Sequence, residues 1–370
     1  MASKHRAFFL FLFSVATFYA GVAPDRAIAQ LAPEPPEVNP VLLQMIRDSA
    51  IHRELDLSAE QIDAVMHVLE EVDGPWFRVR IRPQPERKVV MGKLTLQLEQ
   101  ALAEILKPDQ LDRLNQLRNQ ALGTRMIVRD AAVSQLDLAS QKRGELFEYF
   151  AETDRMVATW QEQLRGGEGD ERAIASKIQQ RQNDERQHFV DSLTNAQKRT
   201  LYDLTGKSFD FQQVKRMYPR APELTLEGAE WLQGGPLTLE QLRGKVVALH
   251  FYAFQCINCR RNLPHYNGWH TDYADQGLVV IGIQTPETSA ERSVERVAAA
   301  IQSEGIEYPV LMDAESSNWK RWSNTMWPTV YLIDKQGFLR RWWQGELNWK
   351  ETPGEKQMRE TIETLLAEGD

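Results

Sequence analysis

The sequence predicts an all-α segment followed by an α/β domain whose central mixed sheet is flanked by helices. Three observations predict it. Apolar residues recur at helical spacing from about residue 41 to 206, and after residue 222 they gather into short continuous runs separated by helical stretches. The last two runs are joined by Asp334-Lys335-Gln336-Gly337, a good hairpin turn. A chain of 370 residues exceeds one ordinary core, which fits two domains.

Residues 1–29 read as an export signal. Lys4 and Arg6 precede an apolar run from Ala7 to about Ala20, and Ala27-Ile28-Ala29 is a small-residue cleavage site that would leave Gln30 first. An exported, periplasmic protein is the expectation, with membrane anchoring only if the segment stays uncleaved. No later run is long enough to span a bilayer. Hydrophobic residues at 42% and charged residues at 26% exclude a mostly disordered chain and a polytopic membrane protein. A net charge of −8 argues against nucleic acid as a partner, because phosphate binding relies on a basic surface.

Residues 30–40 are a proline-rich lead-in. In the helical segment 41–206, Ile62, Val65, Met66 and Leu69 share one helix face, as do Leu94, Leu98, Leu102 and Ile105. Breaks are expected at Asp73-Gly74-Pro75, around Pro83 and Pro85, and at Gly166-Gly167-Glu168-Gly169. The segment repeats itself. Leu55-Asp56-Leu57-Ser58 and Leu136-Asp137-Leu138-Ala139 open the two units, which close with Leu106-Lys107-Pro108-Asp109-Gln110 and Leu193-Thr194-Asn195-Ala196-Gln197. Ser58 with Gln61, and Thr194 with Gln197, make capping boxes.

The elements of the form leucine, three residues, glutamine resemble those of Spy/CpxP-type periplasmic proteins, which include chaperones. That resemblance implies client binding by the helices; a scaffold or docking role is the preferred alternative.

Residues 207–221 read as a linker and 222–370 as the α/β domain. Strands are expected at Val246–Phe251, Leu278–Ile283, Thr329–Ile333 and Leu339–Trp343, and helices from Cys256 to about Tyr273, from Ala290 to Ser303 and from Glu355 to Glu368. Two strands separated by a helix imply a parallel crossover.

Cys256 and Cys259 are the chain's two cysteines. A framework disulfide normally closes a longer loop, so this pair reads as a redox couple. Cys256 follows a strand and opens a helix, where free amides and the helix dipole favour thiolate, making it the nucleophile; Cys259, one turn on, resolves the mixed disulfide. Ile257 and Asn258 then tune the potential. The alternatives are packed core cysteines or half of a metal site. Zinc needs further ligands, and among the neighbouring His250, His265 and His270 the last two do not share one helix face well, so no metal is expected. Arg260 stands where a c-type haem site needs histidine.

The run from Gly244 to Pro264, containing Cys256-Ile257-Asn258-Cys259, resembles the TlpA/ResA-like thioredoxin superfamily. With Gly277 to Ile283, Thr285-Pro286-Glu287, Gly305 to Val310 and Trp327 to Asp334, residues 222–368 resemble the thioredoxin-like domain of DipZ-type and NHL-repeat redoxin proteins. The resemblance implies a thioredoxin fold and exported thiol-disulfide exchange on protein thiols and disulfides, with reduction the favoured direction. A membrane redox protein would donate the electrons, and no cofactor beyond the Cys256/Cys259 disulfide is implied. Pro328 falls at the family's cis-proline position and Trp327 beside it, bordering the groove or packing in the core. Gln255 replaces the usual tryptophan before the first cysteine, giving a more polar rim. His250 falls where the family has a buried acid, either as a proton acceptor for Cys259 or as a packed strand residue. Residues 249–255 lack the threonines and proline of a peroxidatic cysteine, which argues against peroxide turnover.

Overall fold

The computed structural model describes residues 35–36, 38–165 and 170–369, so the stretch read as an export signal, most of the lead-in and the glycine cluster at 166–169 lie outside the described residues. Helices α1 (Val41–Met45), α2 (Ser49–Glu54), α3 (Ala59–Val79), α4 (Gln84–Ile105) and α5 (Pro108–Leu122) come first. Then follow α6 (Asp130–Gln135), α7 (Ser140–Arg165), α8 (Glu171–Asp191) and α9 (Asn195–Thr205). The α/β part runs β1 (Glu230–Gln233), β2 (Val246–Tyr252), α10 (Ile257–Tyr273), β3 (Leu278–Gln284), α11 (Val294–Ser303), β4 (Val310–Met312), α12 (Ser317–Arg321), β5 (Thr329–Ile333), β6 (Leu339–Gln344) and α13 (Gly354–Ala367). Among the described residues, no helix is long and apolar enough to cross a membrane.

The six strands form one mixed sheet in the order β1-β4-β3-β2-β5-β6. β2 pairs parallel with β3 and antiparallel with β5, and β5 pairs antiparallel with β6. The crossover through α10 thus produces the parallel pair that the sequence implied. The β5–β6 turn is closed by Asp334, whose carboxylate accepts from the Gln336 and Phe338 amides, and by Gly337 at φ 83°, a left-handed conformation that glycine adopts without steric cost.

Every β2 residue is buried, so its two faces meet two cores. Val246, Ala248 and Tyr252 pack with Cys259, Leu263, Tyr266 and Trp269 of α10 and with Met358, Ile362 and Leu365 of α13. Val247, Leu249 and Phe251 face Ile281, Ile283, Trp322, Tyr331 and Phe77 of α3. Phe77 stands edge-on to Trp322 at 5.7 Å between ring centres. Burying a phenylalanine side chain in this way contributes about 1.5–3 kcal/mol.

That contact changes the division suggested by the shift of periodicity near 206. The chain forms two compact units, one of Asp112–Phe209 and one combining Leu42–Leu111 with Asp210 onward. The stretch expected as a linker is anchored within the second unit. Asp48 accepts the amides of Lys215 and Arg216, each at 2.8 Å, and Asp73 accepts the amide of Arg220 while pairing with the buried Arg47 at 2.8 Å. The same anchoring explains why α3 runs through Asp73-Gly74-Pro75, where a break was expected. A proline inside a helix removes one hydrogen bond and crowds the preceding turn, and the Asp73 contacts and Phe77 burial offset that cost. Pro83 does sit at a boundary, as the residue before α4.

In the Asp112–Phe209 unit, Met126, Ile127, Leu136, Leu146, Phe147, Phe150, Phe189 and Leu193 form the core. The repeat has a local counterpart in each unit. The Gln110 side-chain amide donates to the Leu55 and Asp56 carbonyls, and that of Gln197 to the Leu136 and Asp137 carbonyls. Asp56 and Asp137 share a left-handed φ of 49° and 48°. Each glutamine therefore satisfies carbonyls freed where a short helix ends, while its oxygen takes the amide of Lys107 or Thr194.

Candidate active site

β2 delivers the chain from the middle of the sheet into Ala253, Phe254 and Gln255, and α10 begins directly after Cys256, the residue at its N-cap. Cys256 is turned back by its amide donating to the Ala253 carbonyl at 3.1 Å, and its carbonyl accepts the Arg260 amide at 3.0 Å. Gln255, Ile257 and Asn258 are exposed around a half-buried Cys256, whereas Cys259 has no exposed surface. Both cysteines are thiols here.

This burial difference divides the chemistry. The Cys256 thiol is brought down from 9.0 to about 7. The chief cause is the Cys259 thiol donating to it; the Cys259 and Asn258 amides add to this, while burial and the charge of Glu287 oppose it. Burial pushes the Cys259 thiol far up, and its hydrogen bond to Cys256 adds to the rise. Near neutral pH the site thus offers an accessible thiolate beside a protonated, shielded thiol. The hydroxyls of Tyr252 and Tyr266, raised first by burial and further by the neighbouring Cys259, stay protonated.

The Trp327–Pro328 bond is cis, as the cis-proline position implied. Phe251 of β2 pairs with Thr329 of β5, so Pro328 lies next to the strand end that leads to the cysteines. Its carbonyl accepts the Gly345 amide at 2.8 Å. Of the two roles considered for Trp327, its contacts show packing. It is half-buried against the core, stacks on Trp319 at 3.9 Å and donates its indole N–H to the Thr285 carbonyl at 3.2 Å.

His250 is fully buried, on the β2 face toward α10. It stacks on Tyr266 at 4.2 Å, and its Nε2 lies 3.1 Å from the Tyr308 hydroxyl. Burial lowers its pKa to about 3, so the imidazole is neutral at working pH. Because burial opposes charge on its ring, His250 is a poor proton acceptor for Cys259, and the packed strand residue describes its surroundings.

Two residues that sequence reasoning passed over shape the site. Glu291, fully buried, accepts the Gln255 amide on one carboxylate oxygen and the Glu287 and Thr288 amides on the other, each at 2.8 Å. The Thr288 hydroxyl reaches the Gln255 side chain at 3.0 Å. The signal was legible as a capping box, threonine followed three residues later by glutamate, straddling the start of the stretch read as plain helix. Asn262 of α10 accepts the Leu347 amide and donates to the Gly345 carbonyl, tying the helix behind Cys259 to the loop that meets Pro328. Among the described residues there is no cluster of histidine, cysteine and carboxylate side chains able to hold a metal ion.

The profile of the AhpC/TSA family matches residues 219–342. The thiol-disulfide oxidoreductase YkuV of Bacillus subtilis is 30% identical over 148 residues, which cover 40% of this chain and 94% of that protein. The chain belongs to the thioredoxin-like thiol-disulfide oxidoreductases. Protein DipZ of Mycobacterium tuberculosis is 43% identical over 119 residues, and NHL repeat-containing protein 2 of Gallus gallus is 32% identical over 134. The chain spans only 17% and 18% of those two proteins' lengths, so its likeness to them is confined to one domain.

Proposed function

We propose that the protein reduces disulfides of exported proteins through Cys256 and Cys259. The Cys256 thiolate attacks one sulfur of a client disulfide; that bond breaks, and the second client sulfur leaves as a thiolate that takes a proton. Cys259 then gives up its proton and attacks the Cys256 sulfur, releasing the first client sulfur as a thiol. The client gains two electrons and two protons, and the Cys256/Cys259 pair becomes a disulfide. An exported or membrane-held dithiol donor returns it to the dithiol by the reverse exchange. With the Pro328 carbonyl taken by the Gly345 amide, the backbone of Trp327 just before it would present its edge to the client strand, and Gln255, Ile257 and Asn258 would border it.

One observation carries this reading: an accessible thiol held near pKa 7 by a buried thiol one turn away. Export rests on the basic, apolar and small-residue pattern of residues 1–29. The decisive assay is insulin reduction with a thiol donor, run beside hydrogen peroxide consumption, together with the reduction potential of the pair against glutathione. Insulin turnover abolished by Cys256→Ser, with poor peroxide turnover and a potential below that of glutathione, is the expected result. Unimpaired turnover in Cys256→Ser would overturn the mechanism, and a potential well above glutathione would reverse its direction. A secreted product starting at Gln30 by mass would support export.

A further inference from the structure

We infer that Arg80, which ends α3, is a positioning residue for the loop that carries Trp327 and Pro328, so that the N-terminal helices take part in recognition of a polypeptide client. The inference rests on the exchange reading above. The Arg80 guanidinium lies 3.6 Å above the Phe77 ring and donates to the Phe77 carbonyl at 2.7 Å, which fixes it at the helix end. Its other terminal nitrogen donates to the Trp322 carbonyl at 2.5 Å and to the Tyr331 hydroxyl at 2.9 Å, with the Ser323 carbonyl a longer, shared contact at 3.4 Å. The Tyr331 hydroxyl in turn donates to the Asn324 side chain at 2.6 Å.

These bonds converge on the end of α12. The cation meets carbonyls left free there, where the helix dipole favours positive charge. Ser323 adopts φ 48°, a conformation a non-glycine residue keeps only when its surroundings over-determine it. The Ser323 and Asn324 amides, bonded to the Lys320 and Trp319 carbonyls, supply part of that constraint, and Arg80 and Tyr331 add to it four and five residues before Trp327 and Pro328. Beyond them, Met326 is exposed, its carbonyl held by the Thr329 hydroxyl at 2.8 Å. Without the guanidinium, the Trp322 and Ser323 carbonyls and the buried Tyr331 hydroxyl lose a donor. The backbone from Trp322 to Trp327 then keeps its own amide bonds to Asn318, Lys320 and Trp319 but loses its tie to α3.

A client that pairs with the backbone beside Pro328 needs that placement; a small disulfide that meets only Cys256 does not. The test compares Arg80→Gln, Arg80→Lys and Tyr331→Phe in the full chain, with insulin and a small aromatic disulfide as substrates. Losing hydrogen bonds of this kind shifts recognition by about tenfold. The KM for insulin is expected to rise by about that factor in Arg80→Gln and less in Arg80→Lys. The small-disulfide rate and the Cys256 titration midpoint should hold within about twofold. Tyr331→Phe keeps the ring and loses the hydroxyl, so it should raise the insulin KM even if Arg80→Gln folds poorly. An unchanged insulin KM in soluble, folded variants, or a parallel fall on both substrates, would overturn the role of Arg80. A wild-type protein inert toward both disulfides would overturn the exchange reading, and this inference with it.

Discussion

Replacing Cys259 by alanine removes the strongest influence on Cys256 and leaves a single thiol in the chain, so every titration signal then belongs to one sulfur. In the wild type Cys256 titrates at about 7, and the hydrogen bond from Cys259 is the largest of the contributions that lower it. A hydrogen bond to a charged acceptor is worth about 1.5–3 kcal/mol, and one pH unit corresponds to about 1.4 kcal/mol. The midpoint in Cys259→Ala should therefore rise by about 1–2 units, toward that of an unperturbed thiol, because burial and Glu287 then oppose the backbone amides. At pH 7 the thiolate fraction would fall from about one half to between about one tenth and one hundredth. Below either midpoint the alkylation rate should drop about tenfold per pH unit, and above both the two proteins should converge. The assay is the pH dependence of iodoacetamide alkylation, paired with thiolate absorbance. Cys259→Ser, which keeps a hydroxyl donor, should fall between the two. A Cys259→Ala midpoint still near 7 would refute the reasoning and assign the depression to the helix amides alone.

Three further outcomes follow from buried groups. His250 stays neutral in the fold down to about pH 3, whereas the unfolded chain takes up its proton below about 6.5; stability is complete above that value and should fall by about 1.4 kcal/mol per pH unit on acidification. Denaturant midpoints of His250→Gln between pH 6 and 4 should decline less steeply than wild type, and equal slopes would count against a buried neutral imidazole. Glu291→Gln keeps one oxygen for Glu287 and Thr288 but turns an amide donor against the Gln255 N–H, leaving it unsatisfied at about 1–3 kcal/mol. Faster amide exchange at Gln255 with slower attack by Cys256 is expected, and unchanged exchange there would show the clamp to be unimportant. Arg47→Met leaves the Asp73 carboxylate buried without its counter-charge, a loss of about 3–5 kcal/mol by urea unfolding. A loss below about 1 kcal/mol would mean that the Arg220 amide suffices.

The central strands were legible because burial on both faces leaves unbroken apolar runs, and Thr329–Ile333 was bounded to the residue. β1 escaped notice because its residues are exposed or half-buried, with no alternation to read, and β4 because three residues are too few for a pattern. The cysteine pair announced itself by spacing, and Pro328 by its place in a longer resemblance. Glu291 was legible only as a cap for Glu287 and Thr288; its hold on residue 255, far off in sequence, was not. The division of the helical segment was illegible for a related reason. Helical periodicity tells which face of α3 is buried, not that Phe77 is buried against Phe251 and Trp322. His250 was legible as a strand residue, while its neutrality comes from Tyr266, Tyr308 and Tyr252 closing around it.

Because Leu42–Leu111 completes the same compact unit as the chain from Asp210 onward, that unit is interrupted in sequence by Asp112–Phe209. During synthesis the early helices leave the ribosome long before the sheet that will receive Phe77 exists, so their apolar face must wait for it. A fragment begun at residue 219, where the family match starts, would carry both cysteines yet leave the Trp322 and Tyr331 rings without the phenylalanine packed against them. Excising the recognisable domain therefore removes part of its floor, and supplying residues 42–111 as a separate chain is the direct way to restore it.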